Sequence, residues 1–238
     1  GWQLKLVASI AFLWSVFQLW YASPLPFMVG FGVFIDVPAR AIHLGFGLLL
    51  AFLSFPFFKK NRTKPFNFLN FLLSLLAIFV TFYLFFNYEN LVYRNGILLK
   101  HPINFFGTSY NFPTELIIGF IGIVLLLEAT RRAIGTPLVI VASVFLLYSI
   151  FGQIMPEMIS HQGLSIKRLV GYHWFGGEAI FGIPISVSVS FVFLFVLFGS
   201  MLDYAGGGKY FLDLAISLVG KFRGGPAKAS IMASGLTG

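Results

Sequence analysis

The stretch KKNRTKPFNFLNFLLSLLAIFVTFYLFF, residues 59–86, decides the fold. A short basic loop leads directly into an apolar run that extends from Pro65 to Phe86. A helix needs about 20 apolar residues to cross roughly 30 Å of hydrocarbon, and this run is long enough. The apolar segments of a membrane β-barrel are short and alternating, whereas this one is continuous. It therefore predicts a transmembrane helix.

The remainder of the chain has the same character. Of its 238 residues, 58% are hydrophobic, 10% are charged and 31 are Phe, and the mean hydropathy is +0.90. These values exclude an ordinary soluble domain. Sixteen Lys and Arg stand against eight Asp and Glu, but most of the basic residues lie in short loops. We therefore expect membrane lipids, and no nucleic acid, as their partners.

The predicted fold class is an all-α polytopic membrane protein with about six transmembrane helices. The chain contains no Cys, which excludes disulfides, thiolate catalysis and Cys-ligated metals. The six predicted spans cover residues 2–21, 40–58, 65–86, 113–130, 136–155 and 183–204.

Charge predicts a cytoplasmic N-terminus. The loop at residues 59–64 is the densest basic loop, so it should face the cytoplasm. Alternation of the spans then places eleven of the sixteen Lys and Arg inside and five outside. Asn61 begins an N-glycosylation sequon in this same loop, and we expect it to be unmodified.

Two further segments resemble amphipathic helices that lie in the plane of the membrane. In residues 207–222, Lys209, Asp213, Ser217 and Lys221 recur every four residues on an otherwise apolar helix. Such a helix is too short to span and is suited to the interface. In residues 160–181, an apolar face is expected, with two basic residues pointing away from it. That face comprises Ile166, Leu169, Val170 and Trp174, and the basic residues are Lys167 and Arg168.

Ionisable residues in the spans have local explanations. Arg131 and Arg132 follow Glu128 by three and four residues, which predicts an ion pair on one helix face. Asp36 precedes Arg40 by four residues, which predicts a second local pair at the outer end of its span. His43 lies on the same face as Arg40.

Catalytic and metal signals are weak. His161 and His173 are twelve residues apart, and neither they nor Glu178 fit the spacing of a zinc site. The glycine run before Lys209 resembles a phosphate loop, but Tyr210 stands where Ser or Thr is needed, so it predicts a helix-entry turn. We expect no enzyme activity, no cofactor and no metal site.

The final stretch, GGPAKASIMASGLTG at residues 224–238, consists mainly of small residues and lacks the Phe-rich and Leu-rich composition of the preceding spans. Small residues suit backbone that bends or packs closely inside a membrane protein. The alternative is an ordinary packing helix behind a glycine turn. We expect the chain to be the front part of a longer polypeptide that has also lost its natural N-terminus.

Four strings resemble the fused permease of tripartite ATP-independent periplasmic (TRAP) transporters, and the TAXI subfamily in particular. They are PARAIHLGF at residues 38–46, LEATRRAIG at 127–135, IFGIP at 180–184 and FRGGPAKA at 222–229. The last string is the most specific. The resemblance implies that residues 1–132 are a four-helix small-subunit-like (Q-type) domain and that residues 133–238 are the incomplete N-terminal part of the large (M-type) transport subunit.

The resemblance further implies an elevator-type importer of small organic acids, such as dicarboxylates or glutamate-like substrates. Sodium would be the coupling ion, and a TAXI-type periplasmic binding protein would deliver the substrate to a multi-pass protein of the bacterial inner membrane. In the family, a re-entrant hairpin that forms ion and substrate sites follows the GGPAK-like helix. Ser234, Gly235, Thr237 and Gly238 would form the approach to that hairpin.

Two other function classes stay open at this point. One is a structural membrane subunit that assembles larger complexes and transports nothing itself. The other is a membrane-embedded enzyme that acts on lipids, which would need a buried acid, base or metal cluster.

Overall fold

The computed structural model describes residues 2–57, 68–94, 97–105, 108–219 and 224–237. The basic loop at 59–64, with Asn61, therefore lies outside the described residues, as do Lys221 and Gly238. Within the described ranges the chain is built of helices and one short hairpin. The helices are α1 Trp2–Ala22, α2 Leu25–Val29, α3 Asp36–Ser54, α4 Phe68–Tyr93, α5 Thr114–Ala133, α6 Thr136–Phe151, α7 Ile166–Val170, α8 Ile183–Val187, α9 Phe193–Tyr204, α10 Gly207–Val219 and α11 Gly225–Thr237.

Five helical segments in the described ranges are long and apolar enough to cross a membrane. They are Gln3–Ala22, Asp36–Ser54, Phe68–Tyr93, Thr136–Ile154 and Ile183–Tyr204. The predicted class, an all-α polytopic membrane protein, is thus confirmed. The remaining predicted span, residues 113–130, corresponds to α5, which is 20 residues long. It is not among the five because it carries Glu115 in its first turn and Glu128, Arg131 and Arg132 near its end.

A two-stranded antiparallel hairpin interrupts the helical pattern. Strand β1, His101–Phe105, pairs with β2, Thr108–Phe112, and the register sets His101 opposite Phe112. It lies between the predicted spans at residues 65–86 and 113–130. Paired strands satisfy the backbone hydrogen bonds of a segment that is too short and too polar to form a further span.

Residues 1–189 form one compact unit, whose core lies between α3, α4 and α5. Helix α3 buries Ala41, Leu48 and Phe52 against α4, where Ala77 and Leu84 are fully buried. Small residues bring these two helices close together: a Cβ added at Gly45 would lie 2.7 Å from Thr81 Oγ1. This is the small-residue packing expected between helices in a membrane, where tight contact replaces the hydrophobic driving force.

The first predicted in-plane segment is helical from Ile166 to Phe175. Helix α7 continues into a π-helical turn at Gly171–Phe175. Leu169, Val170 and Trp174 are buried while Lys167 and Arg168 are exposed, as expected. Ile166, the remaining residue of the predicted apolar face, is 54% exposed. Whether this segment lies in the plane of a membrane stays a prediction.

Residues 190–238 form the second compact unit. Within it α10 and α11 pack through alanines, with Ala215 of α10 and Ala229 and Ala233 of α11 buried together. The second predicted in-plane segment corresponds to α10, and Lys209, Asp213 and Ser217 lie on one face of it at four-residue spacing. The glycine run before Lys209 is a helix-entry turn, as predicted, because Gly206 adopts a left-handed φ of 86° just ahead of α10.

Candidate functional site

A buried polar cluster joins α1 and α3 to the start of the last candidate span. Gln18 is fully buried, and its Nε2 donates to the backbone oxygen of Val189 over 2.6 Å. His43 is 6% exposed, and its Nε2 lies 3.1 Å from Ser188 Oγ. The Trp14 indole N–H donates to His43 Nδ1 over 3.2 Å. Three separate chain segments therefore meet through polar side chains. These side chains hydrogen-bond to one another because burying them without a partner would cost free energy.

Two contacts at His43 Nδ1 require opposite tautomers. The Trp14 N–H can only donate, so this bond needs an unprotonated Nδ1 and places the ring proton on Nε2, from which it reaches Ser188. Gln18 Oε1 also lies 3.2 Å from Nδ1 and can only accept, so this bond needs a protonated Nδ1. The ring can satisfy both neighbours only in turn. The cluster can thus rearrange its hydrogen bonds by moving one proton.

The backbone at this junction departs from regular α-helix. Residues Ser188–Val192 form a π-helical turn between α8 and α9. Such turns interrupt the regular ladder and occur frequently at functional sites. Val189, whose oxygen accepts the bond from Gln18, lies within the turn and is 1% exposed.

Arg40 fixes the chain just before the same span. Its Nη1 donates to the backbone oxygen of Phe181 over 2.7 Å, and its Nη2 contacts Asp36 Oδ1 at 3.4 Å. The predicted pair with Asp36 is confirmed. The Asp36 side chain is 72% exposed, so the pair itself contributes little, and the bond to the backbone is the stronger contact.

Glu115 is the most completely satisfied carboxylate in the part of the chain that the structure describes. It is fully buried at the start of α5 and accepts from Arg94 Nη2 at 2.7 Å and Nη1 at 3.1 Å. Tyr83 Oη at 3.0 Å and the Leu99 N–H at 2.5 Å complete its shell. Hydrogen bonding to Glu115 raises the pKa of Arg94 above its ordinary value, so the guanidinium stays charged. Sequence reasoning missed Glu115, although an acidic residue at the start of a span is itself a signal.

A second ionic cluster lies at the other end of α5. Glu128 accepts from Arg131 Nε at 2.8 Å and from Arg132 Nε at 2.7 Å, which confirms the predicted local pairs. Arg132 also donates to Asn70 Oδ1 on α4 over 2.9 Å, and its guanidinium lies over the ring of Phe52. Between Glu115 and Glu128, α5 rises about 20 Å at 1.5 Å per residue, so the two clusters hold α5 against α4 at both ends.

His161 and His173 both contact backbone groups through their ring nitrogens. His161 Nε2 lies 3.0 Å from the backbone oxygen of Tyr148, and its Nδ1 accepts the Gly163 N–H at 3.0 Å. His173 Nδ1 lies 2.9 Å from the backbone oxygen of Leu169 one helical turn earlier. Among the described residues, no group of three His, Asp or Glu side chains is placed to hold a metal ion.

The predicted ion-site residues lie at the end of α11. Ser234 and Gly235 are exposed on the helix, next to the buried Ala233, and Thr237 is its last residue. Gly238 lies outside the described residues. The structure thus gives Ser234, Gly235 and Thr237 a helical backbone, and their role as the approach to an ion site stays a prediction.

One family model matches the second half of the chain. Residues 121–238 match the family model of the tripartite ATP-independent periplasmic transporter, DctM component. This half of the chain is DctM-like. The match supports a TRAP transporter permease component, as the resemblance implied, and a transporter rather than an enzyme. No curated protein and no solved structure gives a significant match.

The polar contacts described above reach across the start of the DctM match. Gln18, Arg40 and His43 precede residue 121, whereas their partners Val189, Phe181 and Ser188 lie within the DctM-like half. Glu115 also precedes the match, while Glu128 lies inside it. The match begins upstream of residue 133, where we expected the large subunit to start, and that domain boundary stays a prediction.

Proposed function

We propose that this chain is the membrane permease component of a secondary, cation-coupled importer of small organic acids. The match of residues 121–238 to the DctM component is the observation that carries the proposal. Five apolar segments long enough to span a membrane supply the multi-pass body that such a component requires. The protein would lie in the bacterial inner membrane with its N-terminus in the cytoplasm, as the distribution of Lys and Arg favours.

Residues 1–132 act in this proposal as a scaffold for the transport domain that residues 133–238 begin. Secondary transporters move one rigid part past another, and the fixed part must be braced. At its start, α5 is held by the ion pair between Glu115 and Arg94. Near its end, Arg132, which pairs with Glu128 on the same helix, donates to Asn70 of α4. Gln18 and Arg40 extend this bracing to the backbone of Val189 and Phe181. An elevator-type movement of the transport domain against this brace is part of the proposal.

Substrate would arrive on a periplasmic binding protein. A TRAP permease implies such a partner, and the strings at residues 38–46 and 222–229 favour the TAXI type. Dicarboxylates and glutamate-like acids are the proposed substrate class. The loops predicted to face outward, residues 24–37, 87–112 and 155–182, are the proposed docking surface.

Sodium is the proposed coupling ion. Sodium sites in transporters use unwound backbone carbonyl oxygens and the C-terminal ends of broken helices. The last turn of α11 offers the Ser234 hydroxyl, and Gly235 has no side chain to obstruct close approach. Thr237 and Gly238 would continue this approach.

The proposal is tested by reconstitution of the complete natural polypeptide. The candidate binding protein is first screened against organic acids by thermal shift, and the acid that stabilises it is then offered in radiolabelled form to proteoliposomes. We expect uptake only with the loaded binding protein present. A protein that binds its partner but never accumulates label would instead be a structural assembly subunit.

A further inference from the structure

A cavity of about 680 Å³ opens beside the end of α4 in the first unit. Its walls are formed by the last residues of α4, by the segment at Ile97 and Leu98, and by α7 with its π-helical turn. Its volume is that of a small-ligand pocket, about 300 to 1,000 Å³. None of the ion pairs and hydrogen bonds described for α5 uses a side chain of α7, so the cavity is not part of those polar clusters.

The cavity has an apolar floor and a basic rim. Leu91, Leu98 and Phe175 form the floor and are at most 6% exposed. Lys167 and Arg168 line the rim and are exposed. No carboxylate is among the lining residues, and neither basic side chain has an ion-pair partner in the described part of the chain. The cavity therefore carries two uncompensated positive charges above an apolar surface.

Helix α4 places this cavity at the depth of lipid headgroups. The helix has 26 residues and so is about 39 Å long, whereas the hydrocarbon layer is about 30 Å thick. Its last turns leave the apolar pattern: Tyr88, Glu89, Asn90 and Tyr93 follow one another closely there. Tyrosine and polar residues together are typical of the membrane interface. Tyr88 lines the cavity, and so does Tyr172 of the π-helical turn.

We propose that this cavity binds the headgroup and glycerol region of an anionic phospholipid. The phosphate would lie between Lys167 and Arg168, and the glycerol region and first methylene groups would cover Leu91 and Phe175. A small free carboxylate would gain the charge contact but nothing from the apolar floor, so the mixed lining favours a lipid. The site concerns lipid retention alone, and its test does not depend on transport.

Glycine 171 permits a test that fills the cavity without disturbing the core. Gly171 lines the cavity and has helical φ and ψ of −58° and −46°. A Cβ added there would meet nothing within 4 Å. Gly171→Leu should therefore fold and occupy the space of the lipid. Gly199→Leu is its matched control, because Gly199 is an exposed helical glycine whose added Cβ also meets nothing within 4 Å.

The experiment is native mass spectrometry of the purified protein, titrated with phosphatidylglycerol and with phosphatidylcholine that carry the same acyl chains. We expect preferential retention of phosphatidylglycerol. Loss of one basic residue near a membrane surface should weaken this binding about fivefold, and K167Q/R168Q about 30-fold. Lys100→Gln, an exposed lysine that does not line the cavity, should leave the affinity unchanged.

Gly171→Leu should lose the retained lipid, whereas Gly199→Leu should keep it. Equal retention of the two lipids by the unaltered protein, or unchanged phosphatidylglycerol affinity in K167Q/R168Q, would overturn the proposal. So would displacement of the lipid by inorganic phosphate or succinate at equal concentration, because the cavity would then recognise a free anion without its acyl chains.

Discussion

Trp174 lies fully buried against two glycines of α5, and this contact gives a sharp test of the packing. A Cβ added at Gly122 would overlap three atoms of the indole ring, and one added at Gly119 would lie 2.5 Å from Val170 Cγ1. The ring has no room to retreat, because Trp174 is 0% exposed and stacks edge-on against Phe181. Gly122→Ala should therefore force a shift of α5 or of the π-helical turn.

The expected cost follows from the size of this overlap. Overpacking a filled core costs about 1 to 3 kcal/mol. For a chain of this length, each kcal/mol lowers the midpoint of thermal unfolding by about 2 to 4 °C, so we expect a loss of about 2 to 12 °C. The measurement is thermal unfolding of the purified protein in detergent, followed by the fraction that remains monodisperse on size-exclusion chromatography.

Two further variants make the result specific. Gly171→Ala is the control, because its added Cβ meets open space and its midpoint should stay or rise slightly. Trp174→Leu removes the indole ring that the added methyl group of Gly122→Ala would overlap. The loss of stability in the double variant should therefore be smaller than the sum of the two single losses by at least about 0.5 kcal/mol, a typical coupling energy between contacting residues. An unchanged midpoint in Gly122→Ala, or strictly additive losses, would refute the close packing of Trp174 against Gly122.

Three other changes test the remaining contacts. Glu115→Gln leaves Arg94 without its buried counter-charge and should lower stability by about 3 to 5 kcal/mol in the same unfolding assay. Glu89→Gln changes an exposed residue and should leave stability unchanged. Equal losses of stability in the two variants would contradict a structural role for the ion pair. Gln18→Leu removes the donor to the π-helical turn and should cost about 1 kcal/mol, while Ser15→Ala, whose hydroxyl bonds within its own helix, should cost less. Ser234→Ala should raise the sodium concentration for half-maximal uptake about threefold to tenfold; no change relative to Ser230→Ala on the same helix would remove Ser234 from the ion site.

The features that were predicted correctly depend on residues close together in the sequence: the spans, the Glu128 ion pairs and the turn before α10. The apolar runs predicted the spans because membrane thickness sets their length. Glu128 was placed correctly because Arg131 and Arg132 follow within one helical turn. The turn before α10 was predicted because glycine supplies the left-handed conformation that Gly206 adopts.

Contacts between distant segments could not be predicted in this way. Arg94 precedes Glu115 by 21 residues and reaches it only after α4 and α5 have packed. His43 was noted as an ionisable residue, but its contact with Ser188 spans 145 residues of sequence. The periodic patterns of a sequence do not indicate which distant residues will pair. The π-helical turn that contains Val189 also has no characteristic residue composition by which it could be predicted.

The most direct test of the central proposal is uptake driven by an imposed cation gradient. Proteoliposomes that contain the complete permease receive the loaded binding protein, with sodium outside only, and label inside the vesicles is counted over time. We predict accumulation above the external concentration that stops when an ionophore collapses the sodium gradient. Accumulation that persists without any sodium or proton gradient would contradict a cation-coupled permease.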